Sequence, residues 1–118
     1  MTYVSLFDRL VAGTANPIND QQCWLWTRNR DRWGYGRLNV YITGLRRTQT
    51  VMAHLAMFAV LHAPDEFWLA YCELAASGLE VDHLCSVASC LNPDHLEAVT
   101  PKENCRRRGT RAYERAAC

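Results

Sequence analysis

The sequence predicts an α+β fold in which a small antiparallel β-sheet packs with helices. Near the start, "YVSLFDRLV" has apolar residues at helical spacing, and two apolar segments in the middle of the chain have the length of helices. Between the N-terminal segment and these two apolar segments, "CWLWTRNRDRWGYGRLNVYI" and "TQTVMAH" have the composition of strands joined by turns. A length of 118 residues with 49% hydrophobic content suits one core. We therefore expect a single domain over residues 1–118 with its core at 23–108.

The first half of the chain is expected to form one helix and then a sheet. The helix covers residues 3–11, and "AGTANPINDQQ" follows it as a turn-rich loop. A strand begins at Cys23 with alternating aromatics, of which Trp24 and Trp26 are expected in the core. The chain passes a polar turn at residues 29–32, resumes as a strand, and turns again at "TGLRR". These segments predict an antiparallel sheet of about three strands.

Two helices should follow the sheet. "AHLAMFAVLHA" is apolar on nearly all sides, which favours a buried helix that Pro64 ends. "PDEFWLAYCELAASG" favours a second helix, with Pro64 in its first turn and Gly78 at its end. His54 lies at the start of the first helix, where an isolated histidine is expected to be a hydrogen-bonded core or capping residue.

The sequence argues against a membrane protein and against a secreted one. Its apolar runs are too short to span a bilayer. "MTYVSLFDRL" lacks the basic segment and apolar run of a signal peptide. We therefore expect a cytoplasmic protein whose six cysteines are reduced, so that metal binding becomes the leading explanation for some of them.

Charge is unevenly distributed along the chain although the net charge is only +1. Residues 28–47 contain six arginines and one aspartate, and residues 101–118 contain six basic residues and two glutamates. The rest of the chain is acidic. This segregation indicates basic surfaces suited to a polyanion, with ordinary solvated faces as the alternative.

The segment 81–104, "VDHLCSVASCLNPDHLEAVTPKEN", concentrates potential metal ligands. Cys85, Cys90 and His95 are spaced C-x4-C-x4-H, and thiolates with imidazole are the ligands that zinc prefers. A closed tetrahedral site needs a fourth ligand, for which Cys23 is the best candidate because its strand could fix it by packing. The alternative is that these residues are simply reduced thiols, since spacing motifs also arise by chance.

"VDHLC", "CLNPDHLEAVT" and "KEN" resemble the HNH endonucleases common in bacteriophages. These belong to the His-Me finger (ββα-metal) nucleases, and the similarity is to the zinc-stapled branch related to His-Cys box homing endonucleases. "CWLWT", "GYGRL" and the Ala-His pair before Leu55 extend it upstream. The resemblance implies a zinc-stapled ββα-metal motif. Leu55 departs from it, because an arginine is usual at that position.

The resemblance also implies catalytic roles. His83 would be the general base that takes a proton from the attacking water, a task that neutral histidine performs near neutral pH. Asn104 and Asp82 would hold a catalytic Mg²⁺ or Mn²⁺ ion, which is distinct from the structural zinc. Asn92 would hold the loop that carries His83, because asparagine bonds to backbone groups in turns.

Double-stranded DNA is the expected partner. An antiparallel ribbon can enter the major groove, and arginines contact phosphates or guanine. The expected DNA-binding residues are Arg37, Arg46 and Arg47 around the hairpin and Arg106, Arg107 and Arg108 after the predicted metal helix. No membrane partner is expected, a homodimer stays open, and a phage-encoded protein would act in the cytoplasm of a bacterial host.

Two other classes of function compete with an endonuclease. A zinc-stabilised DNA-binding protein without catalysis would explain the zinc ligands and the arginines equally well. It would not explain Asp82 and His83 together with Asn104, which zinc binding does not need. A small phage protein that binds another protein through its acidic middle is the third alternative.

Overall fold

A computed structural model describes residues 5–14 and 23–114, with the side chains of residues 108 and 110–114 outside that description. The predicted α+β class is confirmed. In chain order the elements are α1 Leu6–Ala12, β1 Arg37–Ile42, β2 Arg47–Met52, α2 Ala53–His62, α3 Phe67–Ala76, β3 Glu80–His83, β4 Leu96–Val99 and α4 Pro101–Glu114. The predicted loop covers residues 12–22, of which Ala12 ends α1 and residues 15–22 lie outside the described residues. The end of the basic tail at 115–118 also lies outside them.

The prediction of one three-stranded sheet is wrong. The described residues form two separate two-stranded antiparallel sheets, β1–β2 and β3–β4. Among the described residues, the aromatic segment after Cys23 makes isolated backbone pairs, Leu25 with Cys90 and Trp26 with Thr14. Alternating aromatics indicate that one face of an extended segment is buried, but they do not show which strand the segment pairs with. This segment pairs with the predicted metal loop instead of the hairpin.

The predicted β1–β2 hairpin is confirmed. A short 3-10 turn at Thr43–Leu45 connects the strands, and Arg46 closes it in the left-handed region with φ of 53°. Along β1 the buried residues alternate with exposed ones, so Leu38, Val40 and Ile42 face the core. Arg37, at the start of β1, is on the opposite, exposed face.

The two predicted helices are present, but the second starts later than expected. The first, α2, ends at His62, before Pro64 as predicted, and most of its residues are buried. Pro64 does not lie in the first turn of α3 but in the turn before that helix. A hydrogen bond from Glu66 N to Ala63 O (3.1 Å) closes this turn. Gly78 follows α3 with φ of 79°, a conformation that glycine adopts without strain.

Trp26 anchors the aromatic segment to the core. Its side chain is buried among residues of α1, β1, β2 and α2, and Trp24 packs against the same core. Two glycines make room for it. A Cβ atom on Gly36 would lie 2.6 Å from the Trp26 ring, and one on Gly13 would also clash with that ring. The core prediction is confirmed for Trp26, whereas Trp24 is only partly buried.

The strands β3 and β4 and the helix α4 follow one another as a ββα unit. The two strands pair antiparallel, with Asp82 opposite Glu97 and His83 opposite Leu96. Thr100 caps α4, because its Oγ1 accepts a hydrogen bond from Glu103 N (3.1 Å), and Pro101 occupies the first helical position. Within the described ranges no helix is both long and apolar enough to cross a membrane.

Candidate metal centre and candidate active site

Four predicted zinc ligands meet at one place. The ligand atoms of Cys23, Cys85, Cys90 and His95 all lie within 4.8 Å of one another. Cys85 follows His83 in a turn that a hydrogen bond from Ser86 N to His83 O closes (2.9 Å). His95 ends a short 3-10 turn at Pro93–His95. The loop between β3 and β4 therefore supplies three of the four ligands.

Backbone pairing brings the fourth ligand to the loop. Trp26 N donates to Ser89 O, and Leu91 N donates to Trp24 O, both at 2.8 Å. This short antiparallel contact places Cys23 beside His95, although the two residues are 72 positions apart in the chain. The aromatic side chains around Cys23 thus hold the segment in the core while its backbone aligns the thiol with the loop.

The spacing of the cluster fits a tetrahedral zinc ion. Zn–S bonds of about 2.3 Å and Zn–N bonds of about 2.0 Å separate sulfur and nitrogen by about 3.5 Å at a tetrahedral angle. The Nδ1 atom of His95 lies 3.4 Å from Cys90 Sγ and 3.6 Å from Cys23 Sγ. The backbone N–H of Asn92 donates to Cys90 Sγ (3.4 Å), which supports a thiolate there.

Burial affects the protonation of the Cys90 thiol. Burial is the main cause that raises the pKa of the Cys90 thiol to about 12. A thiol with such a pKa stays protonated at neutral pH unless a cation replaces its proton. Zinc binding at this site must therefore release protons, as binding to cysteine ligands does in general.

His83 is buried beside this cluster and is tied to it. Its Nε2 atom donates a hydrogen bond to the carbonyl oxygen of Cys90 (3.1 Å). A carbonyl oxygen only accepts, so Nε2 carries the proton and the lone pair of the neutral ring lies on Nδ1. Cys90 therefore serves two purposes, since its thiol belongs to the metal cluster and its carbonyl fixes the tautomer of His83.

Two further rings pack around His83. The ring centroid of His54 lies 4.7 Å from that of His83, and the Tyr35 ring lies within 6 Å of both. His54 occupies the core as predicted, but the predicted hydrogen bond is not found, because its Nδ1 has no partner among the described residues. Burial, with His83 adding to it, lowers the pKa of His54 to about 3, so this ring is neutral and adds no charge next to His83.

Asp82 and Asn104 lie on the α4 side of the ββα unit. Both side chains are buried, with 4% and 3% of their surface exposed. Asn104 contacts Glu80, which lies two residues before Asp82 and so on the same face of β3. The Oδ1 atom of Asn104 is buried and has no hydrogen-bond partner in the described ranges. An amide oxygen is one of the ligand types that a hard divalent cation such as Mg²⁺ accepts.

Arg107 is held inside an acidic cluster. Its guanidinium makes ion pairs with Asp82 (3.1 Å), Glu97 (2.8 Å) and Glu103 (3.0 Å). These hydrogen bonds raise the pKa of Arg107, and those from Arg106 and Arg107 lower the pKa of Glu103 to about 2. Because three carboxylates converge on one guanidinium, Arg107 compensates only part of the negative charge around Asp82.

We expect Arg107→Ala to destabilise the protein measurably, because it leaves the buried Asp82 carboxylate without this cation. Arg106→Ala is the matched control. Arg106 is exposed and pairs with Glu103 at the surface, so its loss should change stability much less than the loss of Arg107. Urea unfolding of the two zinc-loaded variants measures the difference. Equal midpoints would show that the Arg107 ion pairs add no stability.

The other predicted site residues lie at separate places. Asn92 is buried and accepts a hydrogen bond from Asp94 N (3.0 Å), so it caps the turn that carries His95. Arg46 and Arg47 are exposed at the hairpin turn. Arg37 lines a cleft of about 420 Å³ together with Arg9 and Arg28. The side chain of Arg108 lies outside the described part of the chain.

Sequence reasoning missed two features around the predicted residues. The contact of Glu80 with Asn104 was not anticipated, although alternation along β3 places Glu80 on the same face as Asp82. The packing of Tyr35 and His54 against His83 was missed because all three residues come from different segments. No local pattern in the sequence signals that contact.

Comparison with known families agrees with this geometry. Residues 22–117 match the family model described as the zinc-binding loop region of homing endonuclease. No curated protein and no solved structure matches the chain. The match and the cluster of three cysteines and one histidine together support a structural zinc ion. Because the match covers most of the sequence, the chain belongs to the family that carries the zinc-binding loop region of homing endonucleases.

Proposed function

We propose that this protein is an HNH-type endonuclease that hydrolyses phosphodiester bonds in double-stranded DNA. His83 is the general base, and one Mg²⁺ or Mn²⁺ ion acts separately from the structural zinc. The observation that carries the proposal is the double role of Cys90. Its thiol lies in the metal cluster, and its carbonyl accepts the hydrogen bond that sets the tautomer of buried His83. A site that only bound zinc would not need an oriented base.

His83 performs the proton transfer in this proposal. The lone pair on Nδ1 takes a proton from a water molecule as the water oxygen bonds to phosphorus. The bond between phosphorus and the leaving 3′ oxygen breaks, and that oxygen takes a proton from solvent. Neutral His54 supports this role, because a charged ring packed against His83 would oppose protonation of the base.

Asp82 and Asn104 are the residues that would hold the catalytic ion. When bound, a divalent ion stabilises negative charge on the phosphoryl oxygens and on the leaving oxygen. Asn104 offers a buried amide oxygen that no described residue contacts by a hydrogen bond, and Asp82 offers a carboxylate that it shares with Arg107. Two protein ligands suffice, since Mg²⁺ retains waters and accepts phosphate oxygens.

Exposed arginines support DNA as the substrate. Arg37, Arg46 and Arg47 lie on and beside the β1–β2 hairpin, whose width suits the major groove. The cleft that Arg37 lines with Arg9 and Arg28 adds further positive charge on this side. We assign these residues to phosphate and groove contacts. Arg107 differs from them, because its guanidinium is already engaged by three carboxylates.

Nicking of supercoiled plasmid DNA tests the proposal. We expect the zinc-loaded protein to convert supercoiled plasmid to nicked or linear DNA only after Mg²⁺ or Mn²⁺ is added. Free divalent ions should be removed by gel filtration and not by a chelator, because a chelator would also remove zinc and unfold the protein. Salt-sensitive DNA binding without any cleavage would instead identify a non-catalytic DNA-binding protein.

A further inference from the structure

The orientation of the Asn104 amide is set by a neighbouring carboxylate. The Nδ2 atom of Asn104 donates a hydrogen bond to Glu80 Oε2 at 3.3 Å. A carboxylate only accepts hydrogen bonds, so the NH₂ group of the amide must face Glu80. The Oδ1 atom therefore points away from Glu80.

This orientation leaves a buried oxygen without a hydrogen bond. Asn104 Oδ1 has no partner among the residues that the structure describes, and such a buried polar atom costs free energy. The opposite orientation would not relieve that cost, because it would place two oxygens against each other at Glu80. Asn104 Oδ1 is therefore available to a hydrogen-bond donor or to a cation.

We propose that Glu80 is a positioning residue that orients Asn104 so that its Oδ1 atom can bind the divalent cation. The inference rests on the proposed function and names a residue outside the ion's expected ligand set. Glu80 begins β3 and shares a face with Asp82, while Asn104 projects from α4. The strand therefore supplies one candidate ligand at Asp82 and, two residues earlier, the residue that aligns the other.

Two substitutions separate hydrogen bonding from charge at Glu80. Glu80→Met keeps the length of the side chain but removes the acceptor, so the Asn104 amide loses its orientation. We expect cation affinity to fall roughly 10-fold, the lower end for loss of an outer-shell partner. Glu80→Gln keeps an acceptor oxygen without the charge, and we expect it to recover most of the lost affinity. Glu97→Gln removes one charge opposite Asp82 on β4 without touching Asn104 and should have much the smaller effect.

The measurement uses full-length, zinc-loaded protein carrying His83→Ala, so that binding is measured without cleavage. Mn²⁺ affinity is determined by electron paramagnetic resonance in the absence of DNA, and zinc content and circular dichroism verify the fold of each variant. In parallel, the Mg²⁺ concentration for half-maximal cleavage is measured with intact His83. Both quantities should change together in Glu80→Met.

A double-mutant cycle with Asn104→Ala decides how Glu80 acts. If Glu80 acts only through Asn104, Glu80→Met should weaken Mn²⁺ binding no further once Asn104 is alanine. If the losses of Mn²⁺ affinity are additive, or if Glu80→Gln binds Mn²⁺ as weakly as Glu80→Met, then Glu80 does not act by positioning Asn104. It would instead ligate the ion directly or act through its charge. Unchanged affinity in Glu80→Met alone would overturn the inference and leave the proposed function intact. Unchanged affinity in Asn104→Ala would overturn both the inference and the ion site of the proposed function.

Discussion

Cys90→Ser is expected to lose zinc and the fold together. Cys90 is fully buried, and its backbone pairs with the segment that carries Cys23. The loop between β3 and β4 contains only one short 3-10 turn among its described residues, and three of its side chains converge on the metal cluster, so we expect its order to depend on the metal. Apparent binding free energies of structural zinc are about 10–16 kcal/mol, which equals or exceeds the whole stability of a typical domain. Loss of one thiolate should therefore unfold the ββα unit.

Elemental analysis and circular dichroism test this expectation. The wild-type protein should contain one zinc per chain, and Cys90→Ser should contain none and show no cooperative thermal transition. Cys72→Ser is the matched control, because Cys72 is exposed on α3 and lies outside the cluster. Cys23→Ser tests the fourth ligand separately. A wild-type protein that folds without metal would contradict the zinc assignment.

His83→Ala is expected to lower cleavage by roughly 10²- to 10⁴-fold, the usual contribution of a positioned base. The variant should keep its zinc, because His83 is not among the four clustered ligands. It should also keep its affinity for DNA, because in the proposed role the ring contacts the attacking water and not the phosphate. Single-turnover cleavage with saturating Mg²⁺ measures the loss without contributions from product release.

A matched control is needed, because His83→Ala also removes packing and the partner of the Cys90 carbonyl. Val81→Ala makes a comparable cavity on the same face of β3 without touching a base, so it should retain cleavage at temperatures where it is folded. Added imidazole should partly restore His83→Ala and have no effect on Asn104→Ala. If His83→Ala instead releases zinc, the residue belongs to the metal cluster and the proposed mechanism fails.

The sequence by itself determined the elements and the local motif. Helical spacing identified α1, and a run that is apolar on nearly all sides identified α2. Strand composition around "TGLRR" identified the hairpin, because each of these patterns arises within a short stretch of the chain. The C-x4-C-x4-H spacing identified three ligands that one loop carries. Each of these patterns lies within one short segment, so it can be interpreted without knowing how distant segments pack.

Only the tertiary structure decided how distant segments meet. It paired the aromatic segment with the metal loop instead of the hairpin, which placed Cys23 beside His95. It also turned Arg107 inward to three carboxylates and set Glu80 against Asn104. These contacts depend on how α4 and the strands dock on one another. Docking depends on the packing of the whole core, which no local pattern of residues encodes.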